Sequence, residues 1–206
     1  MTTKLGTQTL AAMRLAVICI LASVLISSAS LAQEVPVFAI TPLDSSIKFD
    51  VEASVAIKGT FDKWKATLTF TSPDVATGVL DVGIQAATVD TGSSLKNGKL
   101  KGPDFFDVVR NPLITFKSTK IVQTGPDTFE VDGDFTIRGV TRSEKLTLAV
   151  SGKGTGSGLI KGTLYFDRKD YGMNSGIPFI KIANRVEVNV ALKAKRTSGP
   201  PVVLKQ

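Results

Sequence analysis

The side chains that could do chemistry are few in this chain. It contains no histidine, and its one cysteine, Cys19, lies in an apolar N-terminal stretch. Residues 33–206 therefore offer no thiol nucleophile, no imidazole for acid–base work and none of the usual zinc ligands apart from carboxylates. We expect a protein that is not an enzyme and that holds no metal and no cofactor.

One concentrated polar cluster remains, Arg168-Lys169-Asp170-Tyr171, while Arg138 and Arg142 lie on either side of another turn. An arginine at the mouth of an apolar cavity can bind a phosphate through two parallel hydrogen bonds. The alternative for Arg168 is a purely structural role, an ordinary salt bridge with a neighbour such as Asp170. An enzyme that uses Asp170 and Tyr171 is a third interpretation, and it would need a pocket with a titrating acid.

The elements that must position this cluster show strand alternation from Ser45 onward. Ile47, Phe49 and Val51 share one face of the first strand, and the residues between them are charged. About nine such runs follow one another, and each has one apolar and one polar face. One-sided strands need a shared interior, which favours a closed antiparallel β-barrel. A two-sheet sandwich is the alternative.

Two long connections interrupt the alternation. Residues 93–107 (SSLKNGKLKGPDFFD) predict one or two short helical turns that carry Phe105 and Phe106, and residues 168–184 form a second crossing. Long connections in a compact β domain are often functional lids. Phe105 and Phe106 are therefore candidates for a lid over one mouth of the barrel, although they could equally form a plug in the core.

The ends of the chain have their own signals. Residues 1–32 resemble a secretory signal peptide, with Lys4 and Arg14 before an apolar run and a predicted cleavage after Ala32. We therefore expect a periplasmic or secreted protein with a leader at residues 33–39, a barrel at 40–196 and a disordered tail at 197–206. Without Lys4 and Arg14 the Lys and Arg count falls from 25 to 23 against 18 Asp and Glu, a net charge of about +5.

Strand parity predicts which residues line the barrel interior and which cap it. An interior without polar anchors suits a hydrocarbon chain, because burial of apolar surface stabilises by about 25 cal/mol per Å². The alternative is a barrel filled by its own side chains. The candidates are Phe49, Val51, Phe61, Phe70, Phe116, Phe135, Phe166 and Val188 for the lining, Phe105 and Phe106 for the lid, and Arg168 and Tyr171 for the mouth.

An ordered set of short motifs resembles the YceI family of lipid- or polyisoprenoid-binding periplasmic proteins. The motifs include KGTF at residues 58–61, PDFFD at 103–107, GDFTIRGVT at 133–141 and RKDYGM at 168–173. The resemblance covers roughly residues 40–195, in the family's order. One departure is that many members have a histidine after the first strand, where this chain has Glu52-Ala53-Ser54.

The resemblance implies a lipocalin-like barrel of about eight strands with a short helical lid and an isoprenoid tail in its pore. The implied function is an exported carrier of a polyprenyl phosphate, a quinone-like lipid or another long-chain lipid. Transient contact with a membrane surface fits this function, and no nucleic acid partner is expected. The oligomeric state is left open, a dimer included. The alternative function is an envelope interaction module with a filled barrel core.

Overall fold

Ten β-strands account for most of the residues that the structure describes. A computed structural model describes residues 34–54, 56–176 and 181–204. The strands are β1 (Val37–Ala53), β2 (Ile57–Phe61), β3 (Trp64–Thr69), β4 (Val79–Gln85), β5 (Val89–Asp90), β6 (Leu113–Gln123), β7 (Thr128–Ile137), β8 (Val140–Ser151), β9 (Ser157–Asp167) and β10 (Ile182–Ser198). One α-helix, α1 (Ser94–Lys101), and three short 3-10 turns (Val75–Thr77, Ala86–Thr88 and Arg168–Tyr171) lie between them.

The strands form one antiparallel sheet in the order β3-β4-β6-β7-β8-β9-β10-β1-β2-β5. The sheet curls around a single core, which confirms the predicted antiparallel barrel. The strand count is ten rather than eight, partly because β5 is only two residues long and shows no alternation. In the described part of the chain the edge strands β3 and β5 are not paired with each other. Side-chain packing instead joins the β3 edge to β1, since the Phe70 ring just after β3 lies 5.8 Å from the Phe38 ring of β1.

A bulge in β1 lets this long strand follow the curl. Thr41 pairs with Lys193 and Ser46 pairs with Ala191, so four residues of β1 stand opposite one residue of β10. Pro42 cannot donate a ladder hydrogen bond, which suits it to a bulge. Ser45 Oγ donates to Thr41 O at 2.6 Å and accepts from Lys193 N at 2.8 Å, so it replaces part of the lost ladder. The barrel therefore starts at Val37, inside the predicted leader at residues 33–39.

The tightest hairpin joins β7 to β8 through Arg138 and Gly139. Ile137 pairs with Val140, and the two residues between them have φ values of 55° and 74°. Positive φ at both central residues is the geometry of a type I′ turn, whose twist matches that of the flanking strands. This turn fixes the position of the Arg138 side chain at one end of the barrel.

The inward faces predicted from alternation are confirmed. Ile47, Phe49 and Val51 are buried, while Lys48 and Glu52 are exposed. Halfway along the barrel, Val131 pairs with Leu146, which also pairs with Leu164, so these three side chains form one row across β7, β8 and β9. The core thus lies inside the curl, with a layer of aliphatic side chains at mid-height.

Two inward glycines make room for aromatic rings. A Cβ at Gly59 would lie 2.6 Å from the Phe49 ring, and one at Gly133 would lie 2.5 Å from the Phe116 ring and 2.8 Å from Lys117 O. Glycine at these positions is therefore required by close packing of a neighbouring ring, a reason more specific than strand curvature alone.

The two ends of the chain differ in what the structure describes. The predicted signal peptide at residues 1–32 lies outside the described residues. The predicted disordered tail is not what the structure has: β10 continues to Ser198, and Val203 N donates to Pro73 O at 2.8 Å. In the described residues, no helix has the length and apolar character needed to cross a bilayer.

Gly133→Ala should destabilise the protein, because the new Cβ meets both a ring and a backbone oxygen that cannot move freely. We expect the free energy of unfolding to fall by about 1–3 kcal/mol, measured by urea denaturation. Gly83→Ala is the matched control: it also lies in a strand, but a Cβ there has nothing within 4 Å. Equal losses in both variants would contradict the packing role of Gly133.

Candidate functional site

An apolar cavity of about 70 Å³ lies at one end of the barrel. The end is formed by the last residues of β1, β4, β7 and β9 and the first residues of β2, β6 and β10. We call it the Arg168 cavity, because Arg168 is the only charged residue among the described residues that line it. Nine of the twelve predicted site residues line it: Phe49, Val51, Phe61, Phe105, Phe106, Phe135, Phe166, Arg168 and Val188.

Strand pairing explains why these side chains converge. Phe49 pairs with Val188, while Val186 pairs with both Val51 and Phe166. Paired residues of antiparallel strands point to the same face of the sheet, so each pair delivers two side chains to the cavity wall. The ring pairs Phe49–Phe61 and Phe135–Phe166 have centroids 5.7 and 5.2 Å apart, within the range of favourable aromatic contact.

The end of the barrel is covered by the lid segment, which we define as residues 93–110. Ser93 begins its helix α1 as N-cap, since its Oγ accepts from Lys96 N at 3.4 Å. After the helix the chain turns inward and buries Phe105 and Phe106, and the Phe106 ring lies 5.9 Å from the Phe61 ring. The predicted helical turns in this connection are confirmed, and both phenylalanines face the cavity.

A small number of polar contacts fasten the lid segment. Arg138, in the β7–β8 turn, donates from Nη2 to Pro103 O at 2.8 Å and from Nη1 to Gly172 O. Lys99 Nζ lies 2.5 Å from Asp104 Oδ2, and this hydrogen-bonded ion pair lowers the pKa of the Asp104 carboxyl. Both partners of that pair are half-exposed, so its contribution to stability is small.

Arg168 is a buried cation that makes no salt bridge among the described residues. It is 7% exposed. Its Nε donates to Ala183 O at 3.1 Å, and its Nη1 donates to Met173 O and to Ser175 O, the latter at 3.0 Å. Asp170, the salt-bridge partner that the structural alternative predicts, is exposed, and no ion pair joins it to Arg168. The salt-bridge interpretation of Arg168 is therefore wrong.

Three donors of the Arg168 guanidinium are thus satisfied by backbone oxygens. A guanidinium carries five N–H donors, and the two on Nη2 have no hydrogen bond within the described ranges. A charge held this deep is stabilised only by the partners that it has, so the neutral carbonyl dipoles leave the positive charge itself uncompensated. The site therefore combines apolar walls with one cation that can still bind an acceptor oxygen.

Tyr171, a predicted mouth residue, lies outside the lining of the cavity. It is fully buried, and its ring meets the Phe135 and Phe166 rings edge-on at 5.5 and 5.2 Å. Its hydroxyl donates to Glu144 Oε1 at 2.8 Å. Burial, with a further contribution from this hydrogen bond, raises the pKa of the Tyr171 hydroxyl well above its usual range. Tyr171 therefore supports the cavity wall from behind.

The interior is not the single pore that the sequence predicts. A second cavity of about 220 Å³, the far cavity, lies at the opposite end of the barrel and shares no lining residue with the Arg168 cavity. Phe70 lines the far cavity, and Phe116 lines neither. Phe116 belongs to a buried layer between the two cavities, which also contains Val82, Val131, Leu146, Leu164 and Leu192. The Phe116 ring, which lies over Gly133, helps to close this layer.

Sequence reasoning missed two contributors to the site. Arg138 was noted as a turn residue, but its role in tying the lid segment to Gly172 follows only from the three-dimensional position of the hairpin. Met173 lines the Arg168 cavity two residues after Tyr171, and its place in the RKDYGM motif was the available signal. Among the residues described, no three His, Cys, Asp or Glu side chains lie together in a way that could hold a metal ion.

Comparison with known proteins gives a consistent family. The sequence profile of the YceI-like domain matches residues 38–194. Protein YceI of Escherichia coli O17:K52:H18 is 32% identical over 96 residues, which cover 47% of this chain and 50% of that protein. The chain spans about half the length of the curated relatives that it matches.

Solved structures agree on the fold. The crystal structure of Burkholderia cenocepacia BcnA superposes with a TM-score of 0.68 at 24% identity, covering 75% of this chain and 99% of BcnA. A structure described as a polyisoprenoid binding domain from Saccharophagus degradans superposes with a TM-score of 0.62 at 16% identity, covering 78% and 99% of the two chains.

Tyr171→Phe tests the buried hydroxyl through the pH dependence of stability. The unfolded-state tyrosine ionises near pH 10, whereas the folded one resists ionisation, so the native state holds one more proton above that pH. Stability present below pH 10 is therefore lost as the pH rises, by at most about 1.4 kcal/mol per pH unit. We expect urea denaturation between pH 8 and 11 to show a steeper fall for the wild type than for Tyr171→Phe. Parallel curves would contradict the burial of this hydroxyl.

Proposed function

Since this chain belongs to the YceI-like domain family, we propose that it is a carrier that binds a long apolar isoprenoid-type lipid. A polyprenyl phosphate and a quinone-like lipid are the two candidate classes. The proposal includes export through the signal peptide at residues 1–32 and the absence of catalysis. The walls of the Arg168 cavity hold the hydrocarbon, and the guanidinium of Arg168 binds the oxygen-bearing headgroup.

The observation that carries the proposal is the buried Arg168 beside an otherwise apolar cavity. A filled structural core has no use for a cation without a carboxylate partner, because removing that charge from water costs free energy. A phosphate satisfies the two Nη2 donors and neutralises the charge, and a quinone carbonyl satisfies one donor. Both headgroup classes are acceptors, which suits the two Nη2 donors that make no hydrogen bond with the described residues.

The size of the cavity adds an opening step to the proposal. A dry apolar cavity of about 150 Å³ takes one benzene molecule, and the Arg168 cavity of about 70 Å³ is smaller than that. The proposal therefore requires the cavity to widen before it can hold a prenyl chain. Loading needs Phe105 and Phe106 to leave the cavity with the lid segment, which breaks the contacts of Arg138 with Pro103 and of Lys99 with Asp104.

Relatives support the ligand class. The Saccharophagus degradans domain is described as polyisoprenoid-binding, and its fold is shared by this chain at a TM-score of 0.62. A prenyl chain is a branched hydrocarbon without hydrogen-bonding groups, so walls of Phe, Ile and Val side chains are chemically suited to it.

One observation favours the second candidate function, an interaction module with a filled core. The buried layer between the two cavities closes the middle of the barrel, and Val131 and Leu192 in this layer are 0% and 1% exposed. A protein of this kind would bind a partner through its outer face or loops and would take up no lipid. Uptake of a prenyl lipid therefore discriminates between the two functions.

The wild-type protein should prefer a polyprenyl phosphate over the polyprenol of equal chain length. A charge-assisted hydrogen bond contributes about 1.5–3 kcal/mol, so we expect a preference of roughly 10- to 100-fold in equilibrium binding to detergent-solubilised lipids. Arg168→Met should abolish the preference but keep the binding of the polyprenol. Arg168→Lys retains the charge and should retain part of the preference.

Substitutions that fill one cavity with a larger side chain test, in the same binding assay, where the hydrocarbon part of the lipid binds. Val188→Phe places a ring in the Arg168 cavity and should weaken binding of both lipids at least tenfold, whereas Ala194→Leu alters only the far cavity and should leave binding unchanged. Thermal unfolding of each variant checks that it folds. Absence of uptake by the folded wild type would overturn the carrier and support the interaction module.

A further inference from the structure

The far cavity is the larger of the two cavities at the ends of the barrel and has no role in the proposed function. Its volume is about 220 Å³, and its walls are mainly aliphatic and aromatic side chains from the opposite ends of the same strands, with Lys153 and Arg196 also among the lining residues. Leu80, Phe129 and Ile160 in these walls are buried. Apolar wall atoms without a packing partner lose contacts that a guest would restore.

A C-terminal segment beyond the family match covers the far cavity. We define the strap as residues 199–204, which lie beyond the family match at residues 38–194. Pro201, Val202 and Leu204 of the strap line the cavity, whereas Val203 does not and is 62% exposed. Exposure alternates from Pro201 to Leu204, so Val202 and Leu204 are directed at the void while Val203 faces outward.

Three features hold the strap in place. Gly199 has a φ of 75° and lies so close to Val35 O that no Cβ fits, so the chain can reverse here only with glycine. Arg196 Nη1 donates to Gly199 O at 2.6 Å. At the other end, Val203 pairs with Asp74 in an isolated bridge, and Val75 N donates to Val203 O at 3.3 Å.

These contacts are few, and most are backbone hydrogen bonds at the surface. Segments with few buried contacts open at a lower free energy than the core strands. The strap can therefore open without disturbing the ten-stranded sheet. The exposed turn at residues 152–154, which also lines the cavity, lies between β8 and β9 and contributes two glycines to the rim.

We propose that the far cavity is a second binding site, closed by the strap, for a compact apolar molecule of about the size of two fused aromatic rings. A cavity of about 150 Å³ with similar walls accepts one benzene ring, so 220 Å³ accommodates the larger guest. A long prenyl chain does not fit, because the buried layer that contains Phe116 and Val131 blocks the way to the Arg168 cavity. The site is independent of the carrier function, since the two cavities share no lining residue.

Naphthalene is the probe for the full-length protein, with binding measured by calorimetry and mapped by amide chemical shifts. We expect saturable binding with shifts in residues of β3, the strap and the β8–β9 turn. Ala194→Leu extends a side chain into the void from a buried wall position and should weaken binding at least tenfold. Val188→Phe, in the other cavity, should leave naphthalene binding unchanged.

A second pair of variants tests the strap. Leu204→Ser removes a side chain that packs against the core and should accelerate naphthalene dissociation severalfold, whereas Val203→Ser changes an exposed neighbour and should not. Both substitutions keep the full chain. Absence of binding to the folded wild type, or binding that Val188→Phe abolishes and Ala194→Leu does not, would overturn the second site. Neither result bears on prenyl lipid uptake, so the two proposals fail separately.

Discussion

The constraint on which the structure depends is that each strand has only one apolar side. A flat sheet of ten such strands would expose one apolar face to water, so the sheet must curl until that face is enclosed. The bulge in β1 and the tight turn at Arg138 and Gly139 allow the curl locally. Because the β3 edge packs against β1 through side chains such as Phe70 and Phe38, closure depends on packing as well as on backbone hydrogen bonds.

The curled sheet encloses an interior, and the packing of the inward side chains determines how much of that interior is left as cavity. Gly59 and Gly133 each accommodate a phenylalanine ring, and those rings take space that a continuous pore would need. What remains is one small cavity with a cation and one larger cavity without a buried charge. The two ends of the barrel are therefore chemically different, which is why a headgroup-bearing lipid is assigned to one end and a compact apolar guest to the other.

Alternation along the chain was enough to predict the fold class and the inward face of nearly every strand, because the period of two is a local property. Phe49, Val51 and Phe166 are where parity puts them. Alternation predicts which side chains face inward but not how far along the barrel axis they lie. The predicted lining therefore grouped Phe70 and Phe116 with residues at the Arg168 end. The hydrogen-bond partners of Arg168 could not be predicted either, because the backbone oxygens of Ala183, Met173 and Ser175 reach it through the path of the folded chain and not through a sequence pattern. The prolines near the C-terminus suggested disorder, but pairing of Val203 with Asp74 depends on a contact with the opposite side of the sheet.

We propose that a lipid occupies the interior at the Arg168 end. The most direct test is to identify what the protein carries when it is isolated. The measurement is organic extraction of protein purified from cells without added lipid, followed by mass spectrometry of the extract and quantitation against protein. The account predicts a prenyl lipid with an acceptor headgroup, in an amount approaching one molecule per chain. Repeated recovery of lipid-free protein, combined with refusal of prenyl lipid supplied in excess, would contradict it.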